Sequence, residues 1–504
     1  MKSLAKQCFV FLCFFVFCQP SWAQVEQGAF GYYADALTYF FPSIPVGTAR
    51  IQALGGAQTA LGADISAAHG NPAGLGLYNR SEFTISPSLM LGNTQSSYID
   101  QNSSDSRTGF TLSNLGAVLC LNDDYSKAGS VAISFMRTNN FSGRFRYAGV
   151  NRRSTMADSF VERADGTNAA IFDQEAGNNT ISSLASLAYA AFVISPFIDD
   201  ESFYFTEFRD IDNNLVGDIR QSGEVINRGG ESFLNISYGT NFNDRFYVGA
   251  GLGIAFLNFE SEKRHEEELS VQAANEELQS FSFLDTYRTS GTGVNLSLGF
   301  IYRPIDAIRL GFSATSPTLY ALSEFYSSSI TARSVGFNPA TAETLPGEFE
   351  LRMVSPFKTS VGIAAILGKM GFITADAEYV FYNGISFSGD DDFSADNRTI
   401  NNLYRPALNL RGGLELRLNA FRLRGGAAYF QNPLKSEFQD INRDNLVLSG
   451  GFGVRTAGYF VDLAVSRSSY NTVYNPYTLA NGDFFSAVVE QRLWMLTITT
   501  GFNF

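Results

Sequence analysis

The last twelve residues of the chain, 493–504, read LWMLTITTGFNF. Successive side chains of a β-strand point to opposite faces, so one face of this stretch would be apolar, with aromatic rings at both ends. The other face would be small and increasingly polar. This two-residue period is typical of a strand in a membrane β-barrel, between lipid and a polar interior. Strands of soluble sandwiches also alternate, so the fold depends on whether the pattern recurs.

The pattern recurs along the chain and predicts fourteen strands. In 407–418, leucines share one face while Asn, Arg and Glu share the other, and 371–382, 421–430 and 459–466 have the same character. An apolar face opposite charges is expected where one side of a sheet meets lipid and the other meets a polar lumen. The predicted strands are approximately 81–92, 109–121, 128–139, 231–240, 245–260, 288–303, 306–316, 357–367, 371–383, 406–418, 420–431, 445–456, 458–468 and 490–504.

The connections between these strands alternate strictly between short and long. Outer-membrane barrels show this asymmetry, with short periplasmic turns and long external loops, and an even strand number places both termini in the periplasm. A β-propeller would show a repeat of about 40–50 residues, and we find none. The sequence therefore predicts an all-β fold, a 14-stranded antiparallel transmembrane β-barrel, with a long external insertion at about 140–230.

Composition agrees with a membrane barrel and excludes several other classes. Only 17% of the 504 residues are charged, whereas about a quarter is usual in soluble domains. Past residue 23 there is no run of eighteen apolar residues, which excludes spanning helices, and the 45% hydrophobic content argues against disorder. The net charge of −13 would repel phosphate backbones, so we expect no nucleic acid partner.

Residues 1–23 are predicted to be a cleaved export signal. Lys2 and Lys6 precede the apolar run 8–18, and small residues stand at the cleavage positions. The run is too short to span a bilayer. Three of the four cysteines lie in this signal, so Cys120 can form neither an intrachain disulfide nor a cysteine-based metal site.

Residues 24–79 do not alternate, and we predict that they form an N-terminal hatch before the barrel at 80–504. The segment is rich in glycine and alanine, which let a backbone approach a neighbouring wall closely. A plug folded into the lumen is one interpretation, and a flexible periplasmic extension is the other. The residues that define the hatch motif are Gly55, Gly56, Asn71, Pro72, Ala73 and Gly74.

The stretch from Gly47 to Leu77 resembles the FadL-type outer-membrane transporters, because it combines Gly-Thr-Ala-Arg, Gly-Gly-Ala and Asn-Pro-Ala-Gly-Leu just before the first strand. The resemblance implies a hatch that plugs a fourteen-stranded barrel, and lateral release of ligand through a gap made by a kink in the third strand. Gly129 is the candidate for that kink. His69 departs from the pattern, since an aromatic or similar residue is expected there.

Charged residues are predicted to point into the lumen from adjacent strands. One interpretation is a salt-bridged lumen that holds the hatch. The other is a pocket in which Arg411, Arg422 or Arg424 binds a substrate carboxylate, because arginine can bind carboxylates in a bidentate manner. The full predicted set is Asp376, Glu378, Arg411, Glu415, Arg417, Arg422, Arg424 and Asp462.

Metal and haem sites have weaker support in the sequence. His69 and His265 could ligate haem iron, although a packed His69 and a solvated His265 in the acidic loop 262–268 are the ordinary interpretation. The acidic stretches 210–218 and 390–392 faintly resemble calcium loops, but 210–218 lacks the glycine at position six and a clear glutamate at position twelve. We predict no metal and no cofactor.

The predicted function is outer-membrane transport of hydrophobic small molecules, long-chain fatty acids or similar, by external binding, hatch rearrangement and lateral release into the bilayer. A haemin or surface-ligand receptor and a general porin are the alternatives, and two histidines give little support to an enzyme. Expected partners are the ligand, outer-membrane lipid and the barrel-assembly machinery. The terminal Phe502 and Phe504 resemble the assembly signal read by that machinery, and we expect a monomer.

Overall fold

The computed structural model describes residues 31–121, 129–270, 278–436 and 441–504. The predicted export signal, 1–23, and the predicted connection 122–127 lie outside the described residues. Within those described ranges, no helix is both long enough and apolar enough to cross a membrane.

Fourteen strands form one closed antiparallel barrel, which confirms the predicted fold class and strand number. Each strand pairs with its neighbours in the ring, and β14 closes the ring on β1, where Leu496 lies opposite Leu89. The strands are β1 (Glu82–Tyr98), β2 (Gln101–Cys120), β3 (Gly129–Asn140), β4 (Ile219–Phe242), β5 (Phe246–Leu269), β6 (Leu278–Ile305), β7 (Ile308–Thr315), β8 (Lys358–Ile366), β9 (Gly371–Val380), β10 (Ala407–Leu418), β11 (Phe421–Phe430), β12 (Asn445–Arg455), β13 (Tyr459–Tyr474) and β14 (Ala487–Asn503).

The final strand has the predicted orientation. Trp494, Leu496 and Ile498 are 42%, 38% and 43% exposed, whereas Thr497 and Thr499 between them are fully buried. Aromatic and aliphatic side chains therefore point away from the protein, and hydroxyls point inward. A continuous apolar exterior of this kind fits a lipid environment and not water.

Several strands run further than predicted, toward the end of the barrel with the long connections, which we call the outer end. The predicted loop 93–108 is strand apart from a tight turn at Ile99 and Asp100, which have φ values of 42° and 58°. The predicted acidic loop 262–268 belongs to β5. In both places the strand continues after its apolar face ends, so its polar residues were interpreted as loop.

The remaining elements lie inside the barrel or above its outer end. Before β1 come α1 (Tyr32–Phe40), α2 (Ala49–Ala53), α3 (Ala67–Gly70) and a 3-10 helix, Pro72–Leu77. Later helices are α4 (Met156–Ala164), α5 (Ala169–Asn178), α6 (Leu184–Ala190), α7 (Ser394–Leu403) and a 3-10 turn, Tyr382–Gly384. Further strands are Gly143–Asn151, Ser195–Pro196, Tyr204–Phe205, Leu319–Ser334, which pairs with β6, Ala340–Glu343, Gly347–Val354 and Ser386–Gly389.

Within the predicted insertion 140–230, helices α4, α5 and α6 form a small layer with a core of its own, and residues from 219 onward already belong to β4. Phe160, Phe172 and Leu187 are buried together, and Ile330 from the hairpin after β7 joins them. Helix α4 begins with a capping box that involves the Thr155 side chain. The insertion is thus an ordered cap at the outer end of the barrel.

Candidate functional site

The segment Tyr32–Leu77, which we call the hatch segment, lies inside the barrel. Its backbone and side chains contact the inner faces of strands around most of the ring, from β4 through β14. The 3-10 helix touches β4, β5 and β6, and α2 touches β11, β12, β13 and β14. These contacts agree with the plug interpretation of this part of the chain.

Glycines of the barrel wall provide the space into which the 3-10 helix fits. Gly239, Gly249 and Gly299 lie side by side across β4, β5 and β6. A Cβ added at any of the three would lie 2.0–2.4 Å from an atom of Asn71 or Pro72. Only glycine permits so close an approach between backbones, so this row acts as a shallow groove for the Asn-Pro motif.

The opposite wall repeats this arrangement. Gly413 of β10 and Gly426 of β11 lie opposite each other and meet the backbone around Leu54. Gly55 has a φ of +67°, and a Cβ there would lie 2.4 Å from the carbonyl oxygen of Ala427 in β11; Gly56 also has a positive φ, +82°. The glycines of the hatch motif are therefore required by backbone conformation and close packing.

Asn71 joins two parts of the hatch segment. Its Nδ2 donates to the Thr59 carbonyl at 2.6 Å, and its Oδ1 accepts from the Ala73 amide at 3.1 Å. Pro72 then occupies the first turn of the 3-10 helix, where a missing amide hydrogen is harmless. Gly74 lies against Gly62, so the motif packs the segment against itself as well as against the wall.

Asp376 of β9 binds the hatch segment directly. It is buried, and its Oδ2 accepts from the backbone amides of Gln58 and Thr59 at 2.7 and 2.8 Å. A carboxylate that accepts two amide hydrogens forms a strong, directional attachment. One of the predicted lumen charges thus holds hatch backbone.

A chain of alternating charges runs from the hatch segment into the wall. Arg50 of α2 lies 3.8 Å from Glu415, which lies 2.8 Å from Arg424, and Arg424 lies 2.5 Å from Asp462. The Arg424 side chain is only 1% exposed and is paired at both ends. Arg417 adds a further pair to Glu415 at 2.8 Å. These contacts favour the structural interpretation of the lumen charges.

The other two arginines of the predicted carboxylate pocket are also engaged. Arg411 bonds to Glu378 at 2.6 Å and lies over the Phe430 ring at 5.6 Å. Arg422 donates to two backbone carbonyls in the turn between β10 and β11, including that of Asn419. A substrate carboxylate would therefore have to displace existing partners of each arginine.

The two histidines do not form a pair. His265 is buried in β5, with Nδ1 2.8 Å from the Tyr147 hydroxyl and Nε2 3.0 Å from Glu267, so the expectation that it is solvated is wrong. The sequence placed it in a loop because the apolar face of the strand ends before this residue, although the strand itself continues to Leu269. His69 is half-buried beside Asn235 and Phe233, and burial lowers its pKa to about 4. It is packed, as expected.

The acidic stretches are turns. Asp210 accepts from the backbone amides of Asp212 and Asn214, and Asp392 accepts from that of Ser394. Across the described part of the chain, no group of three or more His, Cys, Asp or Glu residues is placed to hold a metal ion.

A buried apolar cluster around α1 and the cavity beside it, which together we call the chamber, were not predicted from the sequence. Tyr32, Tyr39 and Phe40 of α1 pack against rings and aliphatic side chains of the wall and the outer loops, among them Phe141, Phe233, Phe259, Leu322, Met353, Phe387 and Leu403. A cavity of about 430 Å3 lies beside α1. Tyr32, Tyr39 and Phe40 are its signal in the sequence, but the rings that they contact, such as Phe387 and Tyr320, lie far along the chain.

The third strand is irregular, but not at Gly129. Gly129 pairs with Thr240 at the start of β3, and the register with β4 shifts only between Arg137 and Asn139. The register is thus continuous at Gly129, and the irregularity of β3 lies further along the strand. A Cβ at Gly129 would lie 2.6 Å from the Tyr238 hydroxyl, so a larger residue would require that ring to move.

Beyond this shift the chain turns into the lumen. The ladder between β2 and β3 ends at the pair Asn114–Met136, although β2 continues to its turn with β1. The continuation, Gly143–Asn151, pairs with β4 and receives hydrogen bonds from the buried hydroxyls of Thr94 and Ser96 on β1. The wall between β2 and β3 is thus hydrogen-bonded at its lower end only.

Comparison with known proteins identifies the fold. No family model and no curated protein matches the chain. A FadL homologue of Pseudomonas aeruginosa has a TM-score of 0.55 at 13% identity, over 92% of this chain and 99% of that one. The Pseudomonas putida toluene transporter TodX has 0.51 at 12%, over 92% and 99%, and the Ralstonia pickettii toluene transporter TbuX has 0.50 at 14%, over 92% and 100%. The chain therefore has the fold of the FadL-type outer-membrane transporters.

Proposed function

We propose that this chain carries hydrophobic small molecules through the outer membrane. The observation that carries the proposal is the chamber around α1, which lies between the outer loops and the rest of the hatch segment, whose residues contact strands β4 to β14 of the barrel wall. Such a chamber can remove an apolar molecule from water before the hatch is reached. The structural neighbours, a FadL homologue and two toluene transporters, support the same function.

Release sideways into the bilayer is part of the proposal. Each CH₂ group that leaves water gains about 0.8 kcal/mol, so release of an apolar ligand into periplasmic water would lose this energy. The short ladder between β2 and β3, which ends at Asn114 and Met136, offers a place where ligand could pass through the wall. The inward turn of Gly143–Asn151 would keep this place open from within.

Contacts in the lumen argue against a general porin and weaken the case for a haemin receptor. A general porin needs an open aqueous path, whereas the hatch segment is seated on glycines of β4–β6 and of β10–β12. A haemin receptor needs a free imidazole nitrogen, and both ring nitrogens of His265 have partners, which leaves His69 as the one histidine that could serve.

Uptake by intact cells tests the proposal, because the lipopolysaccharide leaflet is the barrier that such a protein would bypass. Cells that carry the chain should accumulate an alkylbenzene and a long-chain alcohol faster than cells without it. Tyr39→Ala should reduce this uptake, since the Tyr39 ring is buried in the chamber against Phe141 and Phe259. Phe337→Ala, which changes an aromatic ring that is 70% exposed, is the matched control.

Equal accumulation with and without the chain would contradict the proposal. Equal loss of uptake in both variants would mean that the chamber is not the binding site.

A further inference from the structure

The cavity beside α1 has walls of two kinds, and the first is aromatic. Rings of Tyr32, Tyr287, Tyr326, Phe349 and Phe393 line it. Tyr32 meets Phe349 edge-on, with ring centroids 6.5 Å apart at 84°, and Tyr326 meets Phe349 at 6.0 Å and 67°. Because these rings meet at steep angles, they form the sides of a box and not a stack.

The second kind of wall is acidic. Carboxyl groups of Asp35, Glu324, Glu348 and Asp391 line the same cavity. Neither lysine nor arginine is among the described residues that line it. A carboxylate ligand would meet like charges here, whereas an ammonium group would be attracted.

The two kinds of wall are connected. Glu324 is 1% exposed, and it accepts hydrogen bonds from the hydroxyls of Tyr32, at 2.6 Å, and of Tyr287. A phenol that donates to a carboxylate keeps its ring electron-rich, and the face of such a ring attracts cations. Aromatic faces beside carboxylates are the combination by which proteins bind organic ammonium ions.

The positive side chain that acts on Asp35 is already paired. Lys263 of β5 acts on Asp35, but its Nζ lies 3.6 Å from Asp285 and the residue is not part of the cavity lining. Among the described lining residues, the carboxyl groups of the cavity therefore have no positive side chain beside them.

We propose that this cavity selects amphiphiles that carry an organic ammonium group on an apolar, preferably aromatic, body, over neutral molecules of the same shape and above all over carboxylates. The inference rests on the proposed transport function and names the ligand class of the same site.

A series of three probes with one skeleton tests the charge preference. Purified full-length protein in detergent is titrated with 4-phenylbutylammonium, 4-phenylbutanol and 4-phenylbutyrate at pH 8, and Kd is measured by calorimetry. We expect the ammonium probe to bind at least tenfold more tightly than the carboxylate, with the alcohol between them. The variant Glu348→Gln/Asp391→Asn should reduce this ratio to less than threefold.

The two substituted residues suit the test because both are exposed, so their replacement leaves the buried fold intact. Glu343→Gln is the matched control, since Glu343 is an exposed acid of a neighbouring strand that does not line the cavity. It should leave the tenfold ratio unchanged.

Tighter or equal binding of the carboxylate probe would overturn the inference, and so would a ratio that survives in the double variant. Whole-cell uptake of 4-phenylbutanol separates the two proposals. If that uptake depends on the chain while Kd shows no charge preference, transport stands and the ligand class is wrong. If the chain neither binds nor takes up any probe, both proposals fail.

Discussion

Two walls of the lumen hold the hatch segment in different ways. Along β4–β6 it rests on the glycine row, and the hydrogen bonds there are neutral, such as the one from the Ser237 hydroxyl to the Ala68 carbonyl. Along β9–β13 it also rests on glycines, but Asp376 binds its backbone and Arg50 enters a chain of buried charges. Close packing and neutral hydrogen bonds hold the hatch segment along β4–β6, whereas close packing and charge together hold it along β9–β13.

The difference suggests how the hatch segment would move. Neutral contacts with a glycine surface can be broken and formed again at little cost in free energy. Breaking a buried ion pair costs more, because it leaves an unpaired charge in the interior. We therefore expect a ligand to loosen the hatch segment along β4–β6, next to the short ladder of β2 and β3. The wall along β9–β13, which we call the charged wall, would act as a hinge.

The largest effect is expected from Arg424→Met, which removes the centre of the charge chain. Glu415 and Asp462 would remain buried without their common partner, and the free energy of unfolding should fall by about 3–5 kcal/mol. Arg417→Met is the control, because the Arg417 side chain is 33% exposed and its loss should cost about 0–1 kcal/mol. Denaturant unfolding in detergent measures both values, and equal losses would mean that the charge chain does not anchor the hatch.

A smaller effect is expected at the glycine wall, from Gly249→Val. The new Cβ would lie 2.3 Å from the backbone of Pro72, so the 3-10 helix must shift, at a cost of about 1–3 kcal/mol. Gly425→Val is the control, since a Cβ at Gly425 meets no atom within 4 Å. Limited proteolysis should cut the hatch segment of the first variant faster and leave the second unchanged. Equal resistance of both variants to the protease would show that the Asn-Pro motif does not depend on this groove.

The smallest effect is a pH dependence of α1, at the top of the hatch segment. Burial raises the pKa of Asp35 to about 7, while Lys263 opposes the shift and Glu324, Asp396 and Asp285 add to it. Because this pKa is above the usual value for Asp, the folded state favours the proton, and docking of α1 weakens as pH rises through 7.

Hydrogen exchange measures this pH effect. After correction for intrinsic rates, amides of α1 should exchange faster at pH 8 than at pH 6, and Asp35→Asn should abolish the difference. Amides of α2, which packs against the charged wall, serve as the internal reference. A pH effect of the same size in the variant would assign the titration to another group.

The sequence predicted the barrel because lipid imposes a simple rule on every spanning strand. Each strand needs an apolar face of fixed length opposite a polar one, and this period is visible without knowledge of any contact. This rule does not apply to the part of a strand that lies beyond the lipid. For that reason the upper part of β5, with the buried His265, was interpreted as a loop.

The lumen could be predicted only in part, for a related reason. The inward charges follow from the same period, but their pairing does not, since Asp376 meets Gln58 across 318 positions of chain. The chamber around α1 and the irregularity near Thr138 depend on contacts between distant segments. Gly129 was chosen because glycine often marks a kink, yet the register is continuous there.

The conductance of the purified chain in planar lipid bilayers tests the central claim, a barrel whose lumen the hatch segment fills. The account predicts insertion without a steady ionic current, because contacts with the hatch segment run around most of the ring. A stable open channel of the kind formed by general porins would contradict it.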